Sequence, residues 1–265
     1  MNTKRHRRDR RSQGVLTLIA LLWLHVPATA QVNIEELRQN GDEVGASGAL
    51  AMELGAHSGN TDIKEFGVEG RLDYTRPSVT TFLLASTEFG WEQGQRFANE
   101  GLIHLRQGYR IRNRLSLEVF GQYNYDKTYL LDFRMLGGVG VRFRLFESRI
   151  AHLWQGTAYM LEYERLGGLP INPMHPARTT ANRWSTYLAA RFTVNNRLSS
   201  AWTVYVQPQL NAMGDVRVLS DANLEIGLGG PLVLVFSFSM RYDSRPPSGV
   251  KSVDTTLENT LAVTF

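Results

Sequence analysis

Histidine, serine and carboxylate side chains are the groups from which this chain could build a hydrolytic or metal site, and their spacing argues against both. A lipid- or peptide-cleaving site needs a nucleophile and a base on one face, within hydrogen-bond reach. His57 and Ser58 are sequence neighbours, so in an extended strand they point to opposite faces. Neither His104 nor His152 has a serine two residues away, and His175 sits among prolines. The histidines also lack the clustered spacing of a metal site. The sequence therefore predicts no enzyme: no catalytic residue, no metal and no cofactor. Gly59-Asn60-Thr61-Asp62 offers amide and carboxylate oxygens, yet a calcium site takes six or more oxygen ligands. Asparagine and aspartate suit a tight turn in their own right.

The charged residues carry more information. Glu65, Glu69, Asp73, Glu88 and Glu92 lie early in the chain, and Arg134, Arg142, Arg144, Arg183, Arg191 and Arg241 lie later. If all face the lumen of a tube, an acid wall would oppose a basic wall. Low-dielectric walls focus such a field, which would orient small polar solutes in a water-filled pore. The same groups could instead pair as ladders that plug the tube. An eight-stranded barrel is filled and a sixteen-stranded one is open, so strand number alone leaves both readings standing.

The elements that must position these charges are strands. Asp254 to Phe265 places Leu257, Leu261, Val263 and Phe265 at even spacing, with Thr256, Glu258, Thr260 and Thr264 between them. That two-residue period makes one face apolar and the other polar. Similar runs fill the chain from Gly45 onward, broken by turn residues, at a spacing that predicts about twelve strands, each long enough to cross a bilayer at a tilt. The closing strand is expected to pair back to the first in a closed barrel in lipid. With both termini on one side, the turns at Arg76-Pro77, Arg112 to Arg114, Glu147 to Arg149, Asn195 to Arg197 and Gly229-Gly230 share that side and are short. The long connections, Leu166 to Asn182 and Asp243 to Val253, fall opposite, the asymmetry of bacterial outer-membrane barrels.

Aromatic residues supply an independent check. Trp91, Tyr125, Tyr163, Trp184 and Tyr242 fall toward one set of strand ends, while Tyr74, Tyr109, Phe143, Trp202 and Phe265 fall toward the other. Two belts at the two interfaces are what a membrane barrel needs. A soluble sandwich or lipocalin-like barrel also alternates, but it turns its apolar side inward, and glutamate and arginine on that side would leave little core.

Residues 1–30 read as a cleaved secretory signal peptide. Lys4, Arg5, Arg7, Arg8, Arg10 and Arg11 precede an apolar run from Val15 to Val26, and Ala28-Thr29-Ala30 supplies a small-x-small cleavage site. Residues 31–44 then form a short polar periplasmic segment, and 45–265 form the barrel. The whole chain has 29 Lys+Arg and 25 Asp+Glu. Setting aside the six bases and one acid of the leader leaves 23 bases and 24 acids, so no nucleic-acid footprint survives. With no cysteine, the fold needs no disulfide.

Two stretches resemble the YdiY-like family of salt-induced outer-membrane proteins, itself a family of unknown function. They are Leu54-Gly55-Ala56-His57-Ser58-Gly59-Asn60-Thr61-Asp62, and Tyr242-Asp243-Ser244-Arg245-Pro246-Pro247-Ser248-Gly249-Val250-Lys251 running into Asp254-Thr255-Thr256. The resemblance covers essentially the whole chain after the leader. It implies an outer-membrane barrel tied to salt or envelope stress, and no established chemistry. From the residues, the expectation is a monomeric all-β, up-and-down transmembrane barrel acting as a narrow channel for ions or small polar solutes. A plugged structural or stress-protective barrel is the alternative, and a lipid hydrolase a remote one. The expected partners are membrane lipid, periplasmic chaperones and the barrel-assembly machinery, which would read Phe265 as a C-terminal signal.

Overall fold

The computed structural model describes residues 44–59, 62–167, 176–230, 232–247 and 249–263. The leader, residues 31–43, Asn60-Thr61, His175 with most of its loop, and Phe265 lie outside that set. Within it the chain is all β. Twelve strands follow one another as β1 (Gly45–His57), β2 (Ile63–Arg76), β3 (Val79–Glu92), β4 (Gln95–Arg112), β5 (Leu115–Asp126) and β6 (Leu131–Glu147), then β7 (Ala151–Leu166), β8 (Arg178–Asn195), β9 (Leu198–Gln209), β10 (Ala212–Gly229), β11 (Leu232–Asp243) and β12 (Val253–Val263). Each pairs antiparallel with its sequence neighbours in one up-and-down sheet. Strand lengths run from 11 to 18 residues, enough for the 9 to 11 that a tilted membrane strand needs.

The two-residue period sorts solvents along every strand. On β7, Tyr159 and Leu161 are 50% and 47% exposed, while Met160 and Glu162 between them are 1% and 2% exposed. Apolar side chains are thus turned outward and ionic ones inward, the inverse of a soluble protein. The same inversion recurs around the sheet: Leu50, Leu54, Leu72, Ile103, Val139, Leu188, Val204, Leu224, Phe238 and Leu257 are all exposed. An apolar surface this extensive has to be covered by lipid or by another protein.

The inward face closes on itself by curvature. Neighbouring strands lie about 4.8 Å apart, so β7 and β10 are separated by roughly 14 Å along the sheet. Nonetheless Arg217 on β10 reaches Glu162 on β7 at 2.7 Å. From β11, Arg241 interacts electrostatically with Glu100 on β4 and Asp126 on β5. Tyr129, in the β5–β6 connection, hydrogen-bonds Asp254 on β12. Only a sheet rolled into a barrel brings these residues together.

The seam differs from expectation. Among the described residues the ladder ends at β1 and β12, which do not pair with each other. Gly45, Ala46, Gly48, Ala49 and Ala51 give β1 few side chains with which to fix a register, and register is weakly specified in glycine-rich strands.

Connection lengths follow the expected asymmetry. The end shared by the start of β1 and the finish of β12 carries only turns of two or three residues. The opposite end carries 167–177 and 244–252. It also has tight turns, as at Gln93-Gly94, where both residues have positive φ (49° and 79°).

Candidate functional site

The register places all of Glu65, Glu69, Asp73, Glu88, Glu92, Arg134, Arg142, Arg144, Arg183, Arg191 and Arg241 on the inward face. Their arrangement there is not two opposed walls. Acids that the sequence reading left out stand among the later arginines and meet them at hydrogen-bond distance.

Glu162 and Glu164 of β7 are the centre of the network. Arg134 of β6 donates from Nε to Glu164 at 2.9 Å and lies 3.5 Å from Glu162. Arg183 of β8 lies 3.3 Å from Glu162 and donates to Asp215 at 3.0 Å and to the Gln207 carbonyl at 3.1 Å. Arg217 of β10 donates to both oxygens of Glu162 at 2.8 and 2.7 Å, to Glu164 at 3.2 Å and to Asp243 of β11 at 3.0 Å. Every member of the central five is almost fully buried. Ions so far from water are tolerated only when paired and hydrogen-bonded on most sides, and these are.

Toward the other wall a second polar ladder continues on β4 and β5. Arg106 donates to Glu118 at 3.1 Å, His104 Nδ1 sits 3.0 Å from Gln122 Oε1, and Gln122 donates to Asn124 at 3.1 Å. Arg71 and Asp73 on β2 pair at 2.9 Å, so the early wall is also mixed in sign. Between the ladders the lumen is filled by large side chains. Trp154, Tyr187, Tyr205 and Leu219 form one inward cluster, and Phe82, Leu84 and Leu102 another. The Tyr187 and Tyr205 rings lie 4.8 Å apart. Glycine makes room for this filling: a Cβ on Gly156 would come within 2.0 Å of the Tyr187 ring, and one on Gly138 within 2.4 Å of Phe120.

Among the described residues, one cavity lies at each end of the lumen. At the long-connection end a space of about 620 Å³ lies between Arg134, Glu164, Arg217 and Arg241 below and Pro246, Pro247, Val250 and Lys251 above. The 244–252 connection folds over the mouth there, anchored where Ser244 N–H donates to the Val216 carbonyl at 3.0 Å and Ser244 Oγ accepts from the Val216 N–H at 2.8 Å. At the short-turn end a larger space of about 1080 Å³ opens to solvent, floored by Phe82, Glu118 and Trp154.

The belts sit on the outward face. Trp91, Tyr125, Tyr163, Trp184 and Tyr242 lie toward the long-connection end; Tyr74, Tyr109, Phe143 and Trp202 lie toward the short-turn end. Their polar tips find local partners: Trp184 Nε1 donates to Thr157 at 2.5 Å, Trp202 Nε1 to Ser200 at 2.9 Å, and Arg76 donates to the Tyr74 hydroxyl at 2.6 Å.

Glu162, Glu164, Arg217, Arg106 and Glu118 were missed by sequence reasoning, although a signal existed. Met160-Leu161-Glu162-Tyr163-Glu164 alternates as cleanly as any run in the chain, and an ionisable residue in such a strand belongs inside. Among the described residues, no group of three histidine, cysteine or carboxylate side chains is placed to hold a metal.

A search of curated proteins gives no match. Among solved structures, one titled "NanC porin structure in rhombohedral crystal form" is similar at 9% identity, covering 83% of this chain and 98% of that one with a TM-score of 0.46, a likeness too loose to argue from. The family comparison is firmer, because it spans every strand from within β1 to the end of β12: over residues 52–265 the chain matches, and so belongs to, the family described as "Protein of unknown function, DUF481".

Proposed function

We propose that the protein is an outer-membrane barrel whose lumen is closed across its middle, serving the envelope as a plugged barrel and not as a standing channel. The observation that carries this reading is the burial of the inward side chains: Leu84 and Arg183 are each 2% exposed. In a water-filled pore, lumen-facing groups on opposite walls would stay in contact with solvent. Here they interlock. The location is supported by the exposed apolar band, the two aromatic belts and the short turns gathered at one end, which we assign to the periplasm.

A connection to salt stress, which the family resemblance suggested, would be compatible with such a plug. Buried ion pairs are screened by added salt far less than exposed ones, so the closure would persist when ionic strength rises. Closure is tested by efflux from liposomes: vesicles carrying the purified protein should retain small sugars and ions as protein-free vesicles do, at low and high salt alike. Efflux that scales with the amount of protein would remove the plugged reading and restore the narrow channel.

The protein is also proposed to be no enzyme and to be inserted by the barrel-assembly machinery as a monomer. His104 is held by Gln122, and His152 stacks on Trp154, which engages both in packing. Phospholipid hydrolysis that is lost in His104→Ala or His57→Ala would overturn the first of these.

A further inference from the structure

The cavity at the short-turn end is not neutral. Its wall contains the guanidinium groups of Arg106, Arg110, Arg114, Arg142 and Arg144 against three carboxylates, Asp73, Glu118 and Glu147, and holds no lysine; Arg76, at the rim, turns its guanidinium outward onto Tyr74. Whatever the pairing among them, the space carries surplus positive charge. Two aromatic rings, Phe82 and Trp154, share its floor with Glu118: Trp154 is buried, the Arg142 guanidinium lies 5.0 Å above its ring, and His152 stacks on it at 5.6 Å. At the other end of the barrel the cavity beneath the 244–252 connection is nearer balance, with Arg134, Arg217, Arg241 and Lys251 against Glu164, Asp243 and Asp254.

We propose that this basic vestibule is a binding site for a multiply charged oxyanion. Guanidinium groups are planar forks that match phosphate and carboxylate oxygens in pairs, which ammonium groups do not. Five of them on β4, β6 and the β4–β5 turn converge on one space, so several can grip one ligand. Arg106 and Arg142 are held in place on aromatic rings, Phe120 at 4.9 Å and Trp154 at 5.0 Å, which lowers the entropy lost on binding. The low-dielectric barrel wall focuses the field into the mouth. Because the plug lies above the floor, an anion that enters is bound and does not pass. The site itself rests on the cavity alone, so bilayer silence and anion binding are separate readouts.

Phosphate groups reach such a mouth from two sources, a soluble polyphosphate or the headgroup of an anionic lipid. The test is calorimetric titration of diphosphate into the purified protein, first in zwitterionic micelles and then in nanodiscs of phosphatidylcholine with or without phosphatidylglycerol. Saturable binding that weakens as salt rises is expected. The double variant R110Q/R114Q removes two exposed rim charges and should weaken binding at least tenfold, while Arg178→Gln at the far end leaves it unchanged; heat-modifiable migration confirms that each variant is folded. If phosphatidylglycerol alone displaces diphosphate, the occupant is the lipid headgroup; if it does not, the occupant is soluble; either result supports the site. Absence of diphosphate binding in micelles together with no effect of phosphatidylglycerol, or equal affinity in wild type and a folded R110Q/R114Q, overturns it.

Discussion

Adjacent residues of this protein have opposite surroundings, and Leu161 beside Glu162 is the clearest instance. Leu161 faces outward and its truncation leaves no internal void; Leu161→Ala should cost about 1 kcal/mol of stability, the transfer value of a few methylenes. Glu162 is shared by three arginines. Replacing it with glutamine leaves three buried cations one anion short, with only Glu164, Asp215 and Asp243 remaining among them, so Glu162→Gln should cost about 3 kcal/mol. Urea unfolding in micelles reads both, and a ratio near one would contradict the inside-out assignment. Gly156→Ala tests the packed lumen in the same way. Its Cβ has no room beside Tyr187, so a loss of about 1–3 kcal/mol is expected, and a Tyr187→Ala background should relieve most of it. Which residues face inward was legible in the sequence, because period two alone decides it. Which inward charges touch was not. Arg134 and Arg183 flank β7 and reach its glutamates through cross-strand register, whereas Arg217, three strands away, meets them only through the curvature of the sheet, and no local pattern encodes curvature.

At the scale of elements, the sequence placed strands well and their ends less well. The fourth strand begins at Gln95 and the eighth at Arg178, because cross-strand pairing extends regular structure past the last alternating residue. A tight turn that the alternation does not mark separates β9, which stops at Gln209, from β10, which begins at Ala212. The two long connections were found, but the inward fold of 244–252 was not, since it depends on Ser244 reaching the backbone of Val216. Replacing residues 245–251 with a short Asn-Gly turn should uncover the cavity at that end without making the barrel conduct, because the ion-pair layer lies beneath. Conductance appearing in that variant would show that the loop, and not the network, is the closure. The C-terminal residue Phe265 lies outside the described residues, and its proposed role as an assembly signal stands apart from the fold: its deletion should lower outer-membrane levels, read by fractionation, and normal levels would refute the role.

The whole molecule is an up-and-down barrel of twelve strands, a size at which side chains can still meet across the lumen. Sequence reading left open a pore with two charged walls and a plug of paired charges. The geometry favours the plug, because Glu162 and Glu164 turn the basic wall into a network with acids at its centre, and because tyrosine, tryptophan and leucine fill what the ions leave. The vestibule at the short-turn end then becomes a dead-ended site instead of an entrance. Planar-bilayer recording tests this account most directly. Wild-type protein should insert without conductance steps above the lipid background, and the double variant E162Q/R217Q, which removes the central pair, should show steps. Steady open-channel steps from wild type, matched in size by the double variant, would contradict a lumen closed by that network.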